Sequence, residues 1–293
     1  MPTTDLSIIT IGYASQETLP NLLKSIHRQT DCSIEFIYVE NSSLLSSTTI
    51  VKTYYPNAII IEPEDNLGFS KGCNLAAQQA KGEYLLFLNP DCEIKTEKTF
   101  STMLEFMHKN RDVGICGPLF INETGQRVPG AHSSYFAEQY APNDFSSLPG
   151  TICWVSGAAL MISKQLFEII NGFDDRYFMY SEDIDICLMA RKAGFLIAEV
   201  ANTQIMHLRE ASSKQAWTDS ESKFRVELAL GIFTEKHYHP KQHKRLWKRA
   251  RFKKLIGVIK NYFFRYHTRF QHDLTIFKAS QNILRQLKSN VSG

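Results

Sequence analysis

Long apolar runs are missing from this chain. No segment reaches the roughly 18 uncharged apolar residues of a membrane-spanning helix, so no such span is expected. The opening residues, MPTTDLSIIT, lack a basic n-region and are too polar for a secretory signal; they read as the lead into a first strand. CxxC pairs are absent too. The six cysteines, Cys32, Cys73, Cys92, Cys116, Cys153 and Cys187, are scattered, which reads as free, mostly structural thiols in a reducing cytosol. Neither internal repeats nor low-complexity segments occur. What is present is ordinary for a globular protein: 293 residues, 43% apolar and 22% charged. That length suggests one sizeable domain with an appendage, or two small domains.

Acidic residues all but vanish between Lys236 and Lys278. Thirteen lysines and arginines there face one acid, Asp273, for a net +12. The remainder holds 20 basic and 29 acidic residues, a net −9, so the overall +3 conceals a mildly acidic body with a strongly basic tail. Such a tail seeks a negative partner, either anionic lipid or nucleic acid. In HKRLWKRARFKKLIGVIKNYFFRYHTRF, Phe252, Leu255, Ile256, Ile259 and Phe263 stand near helical spacing among the cations, with Trp247, Tyr262 and Tyr266 as candidate interfacial aromatics. This is the pattern of an amphipathic helix on an anionic membrane. The bland alternative is a helix packed on the core with a solvated basic face. No base-reading motif supports nucleic acid. We expect domains at 1–235 and 236–293.

Along the body, apolar runs alternate with helical patterns. Strands are expected at LSIITIGY, IEFIYVENSS, NAIIIEPEDN, EYLLFLNPD and VGICGPLF. Helices are expected at ETLPNLLKSIHRQT, TTIVKTYYP, GFSKGCNLAAQQAKG and EKTFSTMLEFMHKN. This alternation predicts an α/β fold whose mostly parallel sheet carries helices on both faces. Polar residues collect at the strand ends, as Glu40-Asn41-Ser42-Ser43, Asn66-Leu67-Gly68 and Asn89-Pro90-Asp91, where open sheets of this kind hold ligands. Residues 122–150 read as a long loop. A further strand, LIAEVAN, precedes TQIMHLREASS, so that His207 is expected after the strand.

Each motif admits two readings. Gly68 and Gly72 in NLGFSKGCN could bring backbone N–H groups to a phosphate at a helix start, or simply make a strand-to-helix turn. They match neither GxGxxG nor GxxxxGK[ST]. Asp91 is either a helix cap or a cation ligand. Glu182, Asp183 and Asp185 crowd three carboxylates into four residues amid Phe178, Met179, Tyr180, Ile184 and Ile186. That favours an acid/base site over a solvated helix start; the structural alternative for one carboxylate is a pair with Arg191, eight residues after Asp183. A lone histidine such as His207 is by itself usually structural.

Taken together, NLGFSKGCN, FLNPD, SGAALMISKQLFEIINGFDDRYFMYSEDIDICLMARKAGF and MHLREASS resemble the family 2 glycosyltransferases of the GT-A fold, nearest their bacterial rhamnosyltransferase-like branch, over about residues 5–215. The resemblance implies that Asp91 binds the metal on the donor diphosphate, with Asn89 at the first position of the motif. It implies that Asp183 is the catalytic base beside Glu182, and that His207 joins the metal site. Thr10 and Glu40 fall where the family contacts the nucleoside, although Glu40 stands where Asp is usual and Ala14 where Asn is usual. Asn66, Gly68, Gly72 and Asn74 belong to the same donor-binding stretch.

A nucleotide-sugar transferase of this kind would need Mg2+ or Mn2+ and a dTDP- or UDP-linked donor. One Asp, one His, phosphate oxygens and water complete an octahedral shell, and one carboxylate base gives inversion. The expected activity is inverting transfer, L-rhamnose from dTDP-rhamnose in the first instance, onto a glycan or lipid-linked acceptor in cell-surface polysaccharide synthesis. The setting would be cytoplasmic, peripheral on the inner face of the membrane. The alternatives are a UDP-hexose or UDP-galactofuranose donor, or a silent carbohydrate-binding module, which would be expected to lack Asp91, Asp183 or His207. A sugar nucleotidyltransferase would carry a basic Gly-rich N-terminal loop, which is missing.

Overall fold

The computed structural model describes residues 4–42, 46–137, 144–208, 218–263 and 267–289. The elements of the first part are β1 (Leu6–Gly12), α1 (Leu19–His27), β2 (Ile34–Glu40), α2 (Ser46–Tyr54), β3 (Ile59–Ile61), α3 (Gly68–Gln79), β4 (Tyr84–Leu88) and β5 (Cys92–Ile94). There follow α4 (Thr99–Lys109), β6 (Val113–Ile121), β7 (Arg127–Val128), β8 (Ala131–His132), β9 (Trp154–Val155), β10 (Ala159–Ser163), α5 (Lys164–Ile169), α6 (Glu182–Lys192) and β11 (Leu196–His207). The main sheet runs β3-β2-β1-β4-β10-β6-β11-β5, with β7 beside β6, while β8 and β9 pair separately.

Alternation along the strands feeds two cores, because successive side chains leave opposite faces. Leu6, Ile8, Phe36 and Tyr38 pack with Leu22, Leu23 and Ile26 of α1 and Phe100, Met103 and Met107 of α4. Ile9, Ile37 and Val39 pack instead with Cys73 and Ala76 of α3, Leu166 and Phe167 of α5, and Ile186 and Cys187 of α6. Helices therefore cover both faces, as the near-continuous apolar runs foretell. The sheet is mixed: β3, β2, β1 and β4 are parallel, whereas β10 lies antiparallel to both β4 and β6.

Two departures from the sequence reading bear on function. The first is β5, a three-residue strand directly after Asn89-Pro90-Asp91 that pairs antiparallel with the end of β11. The second is the length of β11, which runs through to His207. The reading LIAEVAN stops where the pairing with β6 slips between Val200 and Gln204. Asn202 takes a left-handed φ of 63° there, and Thr203 Oγ1 donates to the Val200 carbonyl (2.7 Å) and accepts from the Leu119 N–H (3.3 Å). This is a bulge, not a strand end. His207 is accordingly the last residue of the strand rather than a residue beyond it. Arg209–Ser213 of the MHLREASS motif, and Ser43, lie outside the described residues.

The region 122–150 holds short β7 and β8 and a 3-10 turn at Asp144–Ser147. Arg191 anchors its far end, donating to the carbonyls of Leu148 (3.2 Å), Pro149 (3.0 Å) and Gly150 (3.1 Å).

By contacts the chain forms two compact units. One comprises Met1–Ser134, Leu148–Phe178 and Glu182–Gln215; the other comprises Tyr135–Ser147, Met179–Ser181 and Ala216–Gly293. The second unit contains three long helices, α7 (Asp219–His237), α8 (Pro240–Phe263) and α9 (His267–Ser289). Residue 235, where the sequence suggests a boundary, lies within α7. A reciprocal cap starts that helix: Thr218 and Glu221 satisfy each other's backbone N–H groups. Trp247, expected at an interface, is 1% exposed, and its Nε1 donates to Thr234 Oγ1 at 2.9 Å. Its indole therefore belongs to the core of this unit. The side chains of Tyr262 and Phe263, and Tyr266 as a whole, lie outside the described residues.

Candidate active site

The segment Asn89-Pro90-Asp91-Cys92 is a β-turn. The Asn89 carbonyl accepts the Cys92 N–H at 3.1 Å, and the Asn89 N–H donates to the Ala158 carbonyl at 2.9 Å. Asn at the first place and Pro at the second suit such a turn. A strand follows, not a helix, so Asp91 caps nothing. The turn leaves β4 and delivers Asp91 to the head of β5, where β5 meets β11. The register pairs Cys92 with His207. Asp91 Oδ1 and His207 Nε2 come to 3.2 Å, with side chains 6% and 16% exposed.

Asp91, Cys92 and His207 bring donor atoms within 4.8 Å of one another, the one such cluster among the described residues. The Cys92 sulfur lies 3.4 Å from the Ala158 carbonyl, and burial, reinforced by the Asp91 charge, holds its thiol well above its ordinary pKa. A hard carboxylate oxygen with one imidazole suits Mg2+ or Mn2+, whereas a protonated thiol adds nothing to such a set. The donor set thus fits a cation shared with an oxygen-rich substrate.

The acidic motif opens α6. Asp183 has both oxygens engaged: Gly157 N–H donates to Oδ2 at 3.0 Å and Ile184 N–H to Oδ1 at 2.9 Å. Burial raises its pKa against these bonds and the nearby His132, which lower it. Glu182 is raised as well, by burial first and then by Asp183, and its Oε2 is buried without a partner among the described residues. Like charges this close titrate as a pair, and burial pushes both carboxyls up from their ordinary range. Asp185 is buried and accepts the Tyr177 hydroxyl at 3.3 Å.

The nucleotide-side residues divide by what they touch. Gly68 has φ +72°, and a Cβ there would meet the Phe178 carbonyl at 2.4 Å, so glycine is demanded. Asn66 Oδ1 accepts the Gly68 N–H (2.9 Å), while Asn41 Nδ2 donates to the Gly68 carbonyl (2.9 Å) and Asn41 Oδ1 accepts the Leu67 N–H (3.3 Å). One first-turn N–H of α3, that of Phe69, is already taken by the Phe178 carbonyl at 2.7 Å. Gly72 packs α3 on Ile11, and Asn74 ties α3 to the Phe173 backbone and to Asp175 Oδ1. These two have structural duties of their own. Glu40 is 1% exposed and accepts from the Ser42 N–H (3.0 Å) and hydroxyl (2.7 Å) and the Tyr38 hydroxyl (3.4 Å). Thr10 Oγ1 is buried without a partner among the described residues.

Sequence reasoning passed over Gly157, whose N–H holds the Asp183 carboxylate, and over His132 and Trp154. The last two stack with centroids 3.8 Å apart and planes at 11°. Gly157 was legible only as part of the SGAAL block. His132 and Trp154 meet through the pairing of β8 with β9, which no local pattern announces.

A mixed sheet of this order, helix-covered on both faces, is that of a GT-A-type glycosyltransferase. Solved structures with the same fold include a mannosyltransferase from Pyrobaculum calidifontis in complex with GDP-Man and Mn2+, at a TM-score of 0.60 and 13% identity over 95% of this chain and 86% of that one. Another is S. aureus TarS in complex with UDP-GlcNAc, at 0.57 and 18% over 84% and 71%. The chain belongs to glycosyl transferase family 2, whose model matches residues 7–170. It is 28% identical over 236 residues to a low-salt glycan biosynthesis hexosyltransferase of Haloferax volcanii, covering 75% of this chain and 74% of the relative. It is 23% identical over 243 residues to an N-acetylglucosaminyl-diphospho-decaprenol L-rhamnosyltransferase of Mycobacterium tuberculosis, covering 71% and 77%.

Proposed function

We propose that this glycosyltransferase is metal-dependent and inverting, and that it moves L-rhamnose from a dTDP-linked donor onto a glycan or lipid-linked acceptor during cell-surface polysaccharide synthesis. The observation that carries the metal and donor reading is the buried 3.2 Å approach of Asp91 Oδ1 to His207 Nε2. In this reading the two hold Mg2+ or Mn2+, which when bound neutralises charge on the departing diphosphate. Asn89, Asn66 and Gly68 flank the donor, with Thr10 and Glu40 toward the nucleoside. Gly72 and Asn74 support that wall through their packing. The Thr10 hydroxyl, buried without a partner among the described residues, supports this placement, since an orphan of that kind suits a ligand atom.

Asp183 accepts the proton of the acceptor hydroxyl as the new bond to the anomeric carbon forms. The bond to the donor phosphate breaks, and the diphosphate leaves with the electron pair. The N–H groups of Gly157 and Ile184 fix the Asp183 carboxylate and favour its charged form. A single base without a covalent nucleophile corresponds to inversion.

The L-rhamnosyltransferase name of one relative supports rhamnose as the sugar, and the hexosyltransferase name of another supports a hexose as the second reading. A decaprenol-linked acceptor in one relative supports a membrane-associated acceptor here, with the enzyme peripheral on the inner leaflet through its basic C-terminal helices. Among the described residues no helix is long and apolar enough to cross a membrane.

A thermal-shift panel of dTDP, UDP and GDP, each with Mn2+, Mg2+ or chelator, tests the reading. Stabilisation by dTDP that needs the cation is expected. Equal shifts in chelator overturn the metal site, and a UDP-only response overturns the donor.

A further inference from the structure

The basic helices do not present their charge evenly. Pro240–Phe263 contains no Asp or Glu, and its inner side is committed. Leu246 and Trp247 are buried, Lys254 Nζ lies 2.9 Å from Asp273 Oδ1 on α9, and the Arg251 guanidinium sits 5.7 Å from the centroid of the Phe277 ring, also on α9. The outer side differs in kind from end to end. Toward the N-terminus, Lys241, Lys244, Arg245, Lys248, Arg249 and Phe252 line a shallow groove of about 610 Å³. Toward the C-terminus, Phe252, Leu255, Ile256 and Ile259 stand 67%, 38%, 51% and 50% exposed. Their spacing of three and four residues places them on one stripe, which continues the stripe of Lys241, Arg245 and Lys248. A contiguous apolar ridge of this kind on a helix surface marks an interaction site.

We propose that this outer face of α8 docks on an anionic lipid bilayer, its cationic half taking headgroup phosphates and its apolar half entering the interface. The occupant follows from the pairing of the two halves. Exposed cations alone would suit any polyanion, but Leu255, Ile256 and Ile259 offer nothing to a nucleic acid, whose bases stack on aromatic rings. A bilayer supplies phosphate and hydrocarbon within one short depth, which matches a stripe that changes from basic to apolar along the helix. The face narrows the membrane contact proposed above to one helix surface. It rests on that reading only for the reason an acceptor would be there.

Co-sedimentation of the full chain with vesicles of phosphatidylcholine, with and without phosphatidylglycerol, tests it. The wild type should pellet with the anionic vesicles only. Arg245→Glu with Lys248→Glu should weaken binding tenfold or more, each cation near such a surface being worth about fivefold. Lys278→Glu with Arg285→Glu makes the same charge change on exposed positions of α9 and should cost about twofold at most. Phe252→Ser, Ile256→Ser and Ile259→Ser together should abolish binding. All these positions are exposed, so each variant should keep its melting temperature and its nucleoside diphosphate shift. Equal loss in the two charge pairs overturns the proposal in favour of net charge alone. A wild type that ignores vesicles overturns it as well, as does a wild-type dimer that the apolar variant converts to monomer without any vesicle binding. Vesicle binding without a nucleotide shift would leave this face standing and remove the proposed donor site.

Discussion

The backbone N–H of Leu208 donates to the carbonyl of Asp91 at 3.2 Å. This bond extends the β5 and β11 pairing by one step beyond His207 and seats the imidazole against the Asp91 carboxylate. Two residues from opposite halves of the chain are thereby held by main-chain geometry rather than by flexible side chains. A pair so supported is pre-positioned for the shared cation proposed above.

Asp91→Ala and His207→Ala should each weaken cation-dependent nucleoside diphosphate binding. Loss of outer-shell partners alone costs about 10–100-fold at metal sites, so a direct ligand should cost at least that. Titration calorimetry with Mn2+ present and absent measures it. Unchanged affinity in both variants would remove the pair from the donor site.

Asp183→Asn should lower turnover by about 10²-fold or more and leave donor binding near normal. The amide keeps one oxygen for the Gly157 or Ile184 N–H, so the fold is retained. Full activity in this variant would reassign the base.

Glu182 gives a stability test with a defined sign. Its carboxyl ionises near 4.5 in an open chain, and burial beside Asp183 raises it well above that in the folded protein. Between those two values the folded state holds a proton that the unfolded state has lost. Stability is therefore full below the ordinary carboxylate range and declines as pH rises through the raised value. Glu182→Gln should flatten that decline, so its melting temperature should gain on the wild type as pH increases. Parallel curves would contradict the shift.

Gly68→Ala should destabilise the protein by roughly 1–3 kcal/mol, because φ is +72° and the new Cβ would strike the Phe178 carbonyl. Denaturant unfolding measures the loss. Gly125→Ala shares a positive φ but meets nothing within 4 Å, and isolates the conformational part of the effect.

Trp247→Ala should cost about 3–5 kcal/mol, as for a large buried aromatic. Its indole emission should not respond to vesicles. Exposed Phe252 is the opposite case, where removal of the ring should leave unfolding almost unchanged.

Short-range features were written plainly in the chain. Alternation in LSIITIGY and EYLLFLN, the punctuation at Gly68 and Asn89-Pro90-Asp91, the carboxylates of SEDID and the acid-poor stretch after Lys236 each depend on neighbours a few residues away, where spacing and composition carry the information. The α/β class and the residues to watch followed from these. Only the tertiary structure decided the rest. Strand β5 is too short to show a period, and the bulge at Asn202 disguised the continuation of β11, so the meeting of Asp91 with His207 was set by long-range register. Packing likewise chose which side of α8 faces out and put Trp247 inside, because its sequence offers both Trp247 and the stripe of Phe252, Leu255, Ile256 and Ile259 as apolar, and only contacts with other helices decide which is covered.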